Sequence, residues 1–160
     1  MAQESTQLAD RYRRIAQQLE ELFNTGPKAT DDPIARMAST AALLQHKMPH
    51  FFWTGFYRRE DGRLVVGPYQ GPLACAILPG REGVCWACVQ RKESIIVPDV
   101  HAFGGHVACD SRSQSEIVIP VREPAGNIVA VLDVDSDQPD AFSETDRMGL
   151  TRIADLVYLP

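Results

Sequence analysis

The stretch EIVIPVREPAGNIVAVLDVD, residues 116–135, decides the fold. It holds two runs rich in Val and Ile, residue types that favour strands. Ala125-Gly126-Asn127 between them reads as a turn, so the runs pair as an antiparallel hairpin. Side chains two apart in a strand share a face. In the second run Ile128, Ala130, Leu132 and Val134 line one face, and Val129, Val131, Asp133 and Asp135 line the other. That second face begins apolar and ends in two acids. Pairing brings Glu116 to the acid end of its partner, so three carboxylates converge at one rim of the sheet. Clustered carboxylates repel one another and need a cation or a shared proton. Three readings stand at this point. The acids lead into a solvated loop, or they line a pocket for a cationic group such as an ammonium, or they hold Mg2+ or Ca2+.

The flanking sequence extends the sheet. FFWTGFYR (51–58) alternates and is rich in aromatics, Asp61-Gly62 is a hairpin turn signal, and RLVV is its partner. SIIV (94–97) is a further short strand. Leu8, Tyr12, Ile15, Leu19 and Leu22 recur at helical spacing, which predicts an amphipathic helix over about 4–23, stopped near Thr25-Gly26-Pro27. Asp32-Pro33 opens a second helix that runs to Pro49, residues 84–91 fit a short third, and Ser143 caps a last one from 144 to about 158. The expectation is one α+β domain over residues 1–160, its first 30 residues a helix and connecting loop, with a central antiparallel sheet and helices gathered on one side.

Composition narrows the function classes. With 21 acidic against 16 basic side chains, the net charge is −5, which disfavours a nucleic-acid backbone as partner. The cluster Arg11, Arg13 and Arg14 alternates with acids and reads as a solvated helix face. No segment approaches the roughly 20 apolar residues needed to cross a bilayer, so no membrane role is expected. The N-terminus MAQESTQLADRYRR lacks an apolar core, which points to the cytoplasm rather than to secretion. In that compartment four cysteines are better read as reactive groups than as permanent staples.

Cys85-x-x-Cys88 followed by His101 and His106 fits a zinc-finger pattern on paper. The two glycines between the histidines argue against the helix that such a site requires. Cys88 reads as a small buried hydrophobe. Cys75, Cys85 and Cys109 each sit in or beside a loop and are free to meet at one site. Cys109, among hydroxyls and three residues from His106, has the surroundings of a reactive thiol. His106 itself reads as an exposed loop histidine, with a role in lowering the thiol pKa as the other reading. Trp53 and Tyr57 share a strand face, as core or as the wall of a pocket.

GPLAC (71–75), GVC (83–85), VPDVHAFGGHVACDSRSQSEIVIPV (97–121) and GNIVAVLDVDS (126–136) together resemble the free methionine-R-sulfoxide reductase family of small GAF-domain enzymes. The resemblance runs from about Thr40 to Phe142. It implies a GAF-like sheet of about six strands, helices on one face and a ligand pocket on the other. It implies reduction of free L-methionine-(R)-sulfoxide, with thioredoxin as reductant, in a homodimer, without metal or cofactor. Cys109 matches the nucleophile, Cys75 the usual resolving cysteine, and Cys85 a third cysteine that can also enter disulfides. Glu116, Asp133 and Asp135 match the substrate-binding acids, and Trp53 and Tyr57 the aromatic wall. The chain departs from the pattern at Trp86-Ala87, where Gly-Thr is usual, at the extra Cys88, and at Gly104. Two other classes compete: a ligand-binding GAF module without chemistry, and a thiol redox sensor.

Overall fold

A computed structural model describes residues 2–106 and 109–158. Helix α1 (Ala2–Asn24) and helix α2 (Pro33–Lys47) come first, joined through a 3-10 turn at Gly26–Lys28. Strands β1 (Trp53–Glu60) and β2 (Arg63–Gln70) form the first hairpin. Helix α3 (Val84–Arg91), strand β3 (Ile95–Val97), strands β4 (Ser115–Arg122) and β5 (Ile128–Ser136), and helix α4 (Glu144–Asp155) complete the order. The hairpin expected from residues 116–135 is β4–β5. The sheet is antiparallel throughout, in the order β2-β1-β5-β4-β3. It is five-stranded among the described residues, close to the six expected.

Local chemistry sets the element ends. The Asp32 side chain accepts from the Ala35 amide at 2.7 Å, and Pro33 occupies the first helical position, so α2 starts where sequence placed it. Ser143 and Asp146 form a reciprocal capping box at α4. Tyr12 of α1 donates to Asp146 at 2.7 Å. A Cβ at Gly149 would lie 2.2 Å from the Tyr12 ring, so the close approach of α1 to α4 requires glycine there.

Two apolar clusters flank the sheet. On one face α1, α2 and α4 pack over Phe56, Ile117, Ile119, Ala130, Leu132 and Val134. On the other, α3 packs with Trp53, Tyr57, Val118 and Val131. Thus α3 parts from the other helices and joins the face that carries Asp133. No described helix is long and apolar enough to cross a membrane.

Candidate active site

The register of the hairpin builds the acidic rim. Glu116 of β4 stands opposite Asp135 of β5, and Trp53 of β1 stands opposite Asp135 on the other side. Val118 and Gly55 flank Asp133 in the same way. All three carboxylates therefore point to the α3 face, at one end of the strands, where a cleft opens. Its walls include Phe52, Trp53, Tyr57, Cys85, His106, Cys109, Ser113, Glu116, Asp133 and Asp135. The cleft encloses about 600 Å3 including its open mouth. No Lys or Arg lines it among the described residues.

The aromatic wall depends on a small residue. Trp53, Gly55 and Tyr57 follow one another on the same strand face. A Cβ at Gly55 would sit 2.6 Å from the Trp53 ring, so only glycine lets that ring lie flat on the strand. Trp53 then stacks on Tyr57 and Tyr69, with ring centroids 5.9 and 5.3 Å away. Trp53 Nε1 donates to the Pro72 carbonyl at 3.1 Å, and the Tyr57 hydroxyl donates to the Cys75 carbonyl at 3.2 Å. The wall thus also anchors the loop that carries Cys75.

Cys75 and Cys109 are joined in a disulfide, their Cα atoms 5.7 Å apart. Cys109 is exposed at the mouth of the cleft. The turn after it is set by Asp110, whose carboxylate takes the Arg112 guanidinium through two bonds of 3.0 and 2.8 Å. Those bonds hold Asp110 down to about 2. Arg112 in turn lies 4.8 Å over the Phe52 ring. Val107 and Ala108 of the same motif lie outside the described residues.

Cys85 is placed otherwise. It sits in the first turn of α3, buried and reduced, and bonds to Asp133. Burial, then the charges of Asp133 and Glu116, push its thiol pKa well up. Ligand atoms of Cys85, Glu116 and Asp133 all lie within 4.8 Å of one another. Burial also raises Glu116 and Asp135 well above the carboxylate range, helped by the charge of Asp133. Asp133 is pushed up by burial, against hydrogen bonds from Glu116 and Cys85, to about 7. Its Oδ1 is buried with no hydrogen-bond partner. A buried carboxylate oxygen left alone is costly, and it marks where a donor is missing.

One sequence expectation changes. His106 is not an exposed loop histidine. Its side chain is 13% exposed, with Nδ1 3.7 Å from Glu116 Oε2, and burial lowers its pKa. The hydroxyls after Cys109 do not act together: Ser113 is buried against Asp135, whereas Ser115 donates to the Gln138 carbonyl at 2.6 Å. Trp86 neither fills nor covers the cleft, but is buried in the neighbouring cluster with Arg81 over its ring. Cys88 is fully buried, as its apolar reading requires. Phe52, Glu82, His106 and Ser113 are among the cleft residues that sequence reasoning did not select. The strand expected over 51–58 puts Phe52 on the face opposite Trp53, but β1 begins only at Trp53, so Phe52 escapes the alternation.

The GAF domain profile matches residues 34–158. Protein YtsP of Bacillus subtilis (strain 168) is 43% identical over 146 residues, 90% of this chain and 86% of that protein. A protein of Escherichia coli (strain K12) named free methionine-R-sulfoxide reductase is 42% identical over 120 residues, 75% of this chain and 72% of its own. The free methionine-R-sulfoxide reductase of Neisseria meningitidis, solved in complex with its substrate, superposes with a TM-score of 0.85 at 37% identity. That match covers 93% of this chain and 87% of the other.

Proposed function

This chain belongs to the GAF-domain family and, within it, to the free methionine-R-sulfoxide reductases, and from that premise we propose that it reduces free L-methionine-(R)-sulfoxide to methionine. The observation that carries the reading is the partnerless Asp133 Oδ1 at the floor of a cleft free of Lys and Arg among the described residues. An amino acid's ammonium supplies the missing donors and neutralises the charge that three buried carboxylates would otherwise bring together.

In this scheme Glu116, Asp133 and Asp135 hold the ammonium, and Trp53 and Tyr57 pack against the methyl and the carbon chain. The reduced Cys109 thiolate attacks the sulfoxide sulfur. The oxygen needs a proton to leave, and Glu116, its pKa raised by burial and by the charges of Asp133 and Asp135, is assigned to donate it. Methionine departs and Cys109 becomes a sulfenic acid. The Cys75 thiol condenses with it, forming the disulfide and releasing water. Two thiols and one sulfoxide thus become one disulfide, one thioether and one water. Cys75 is the better resolving thiol, because it already pairs with Cys109 while burial keeps Cys85 protonated and slow to attack. Thioredoxin then restores both thiols by exchange, in a cytoplasmic homodimer.

The test is incubation with racemic methionine sulfoxide and dithiothreitol. Half of the sulfoxide, one sulfur epimer, should become methionine. Tight binding without turnover would instead mark a ligand-sensing GAF module.

A further inference from the structure

We propose that the floor of this cleft is also a binding site for a divalent cation of the Zn2+ class, held by Cys85 Sγ and by carboxylate oxygens of Glu116 and Asp133. The three side chains come from three elements, α3, β4 and β5, and all are at least nine-tenths buried. Their ligand atoms fall within 4.8 Å of one another, close enough that side-chain shifts of about 1 Å bring all three to coordination distance of one ion. A second observation is independent of that clustering. Asp133 lines the cleft, and its Oδ1 is buried and partnerless. It is an acceptor without a donor.

Ligand type selects the metal. A thiolate beside two carboxylates suits Zn2+ or a similar borderline ion, whereas Mg2+ and Ca2+ favour sets made of oxygen alone. Water completes the coordination. The cation occupies the carboxylates assigned above to the substrate ammonium, so the two exclude each other. That exclusion rests on the proposed substrate reading; the metal site itself does not. Such an ion would hold the enzyme idle until a chelator or a high substrate level displaces it.

The oxidised wild-type chain is the material for the test. There Cys75 and Cys109 are joined, which leaves Cys85 and Cys88 as the free thiols. Titration with Zn2+ by calorimetry, and with Co2+ by absorption, should give one site per chain with micromolar or tighter affinity. Co2+ should show a thiolate charge-transfer band. Cys85→Ala should abolish the band and weaken Zn2+ binding about 100-fold or more, and Glu116→Gln should weaken it while keeping the band. Cys88→Ala should change neither. Circular dichroism checks that each variant is folded. Absence of binding below millimolar, or an unchanged band in Cys85→Ala, overturns the site. Simultaneous, mutually indifferent binding of Zn2+ and methionine sulfoxide overturns the placement of the ammonium on these carboxylates instead. Binding of methionine sulfoxide in the presence of a chelator is measured separately, so failure of the substrate reading is told apart from failure of the metal site.

Discussion

The two faces of the β4–β5 hairpin are built from alternate residues of the same strands and do opposite things. Toward α1, α2 and α4, the face of Ile117, Ile119, Ala130, Leu132 and Val134 is apolar and almost wholly buried. It stabilises by removing area from water, about 25 cal/mol per Å2. Toward α3, the face of Glu116, Val118, Val131, Asp133 and Asp135 also loses its water, but it keeps three carboxylates and leaves one oxygen without a donor. That face gives up stability to hold an unmet demand for positive charge. The difference teaches where binding energy is stored: a ligand that meets the demand recovers what folding left unsatisfied.

The sharpest way to break the comparison is at the mouth of the polar face. Cys109→Ser should lose catalysis by about 10^4-fold or more, over 5 kcal/mol, while the unfolding midpoint of the reduced protein barely moves. Product analysis with racemic sulfoxide and thermal unfolding together check this.

On the apolar face the effects reverse. Leu132→Ala opens a hole in a fully buried cluster and should cost about 2–5 kcal/mol in urea unfolding. The kcat/KM of the fraction that remains folded should be unchanged. A large loss of kcat/KM there would mean that the two faces are not separable.

Glu116→Gln should lower kcat/KM about 100-fold, close to 3 kcal/mol. Both kcat and KM should suffer, since the same group is assigned to the proton and to the ammonium. Steady-state kinetics resolve the two.

The smallest effect is a gain. Asp133 titrates at about 7 in the fold against an ordinary 3.8. A carboxyl whose pKa rises on folding holds its proton more tightly when folded. Its contribution is complete below the unfolded value and is lost as pH climbs to the folded one. The ligand-free protein should therefore weaken between about pH 4 and 7. Asp133→Asn should flatten that slope and stabilise the protein at pH 8 by on the order of 2 kcal/mol, several degrees in midpoint, while abolishing substrate binding. Unfolding across pH, with and without methionine sulfoxide, measures both.

Much of this was legible in the chain. The alternation of NIVAVLDVD separated the two faces before any coordinate, and Asp32-Pro33 and Ser143 marked helix starts that the structure keeps. The convergence of Glu116 with Asp133 and Asp135 followed from pairing two strands across a short turn. The position of α3 was not legible: its apolar residues fit either face of the sheet. With it went the surroundings of Cys85, which sequence grouped with the reactive thiols and the fold buries against Asp133. His106 was misread for a related reason. Its loop has no periodicity, so nothing local tells which way a side chain turns.

By itself the sequence determined what is periodic or adjacent: strand faces, helix caps, the acidic rim and the order of the motifs. Those depend on backbone geometry repeated over a few residues, and no distant contact is needed to set them. Only the tertiary structure decided which thiol meets Cys109, which thiol meets the acids, and that one oxygen of Asp133 is left waiting. Such pairings join segments far apart in the chain, and the packing of whole elements, with its balance of burial against charge, selects among them.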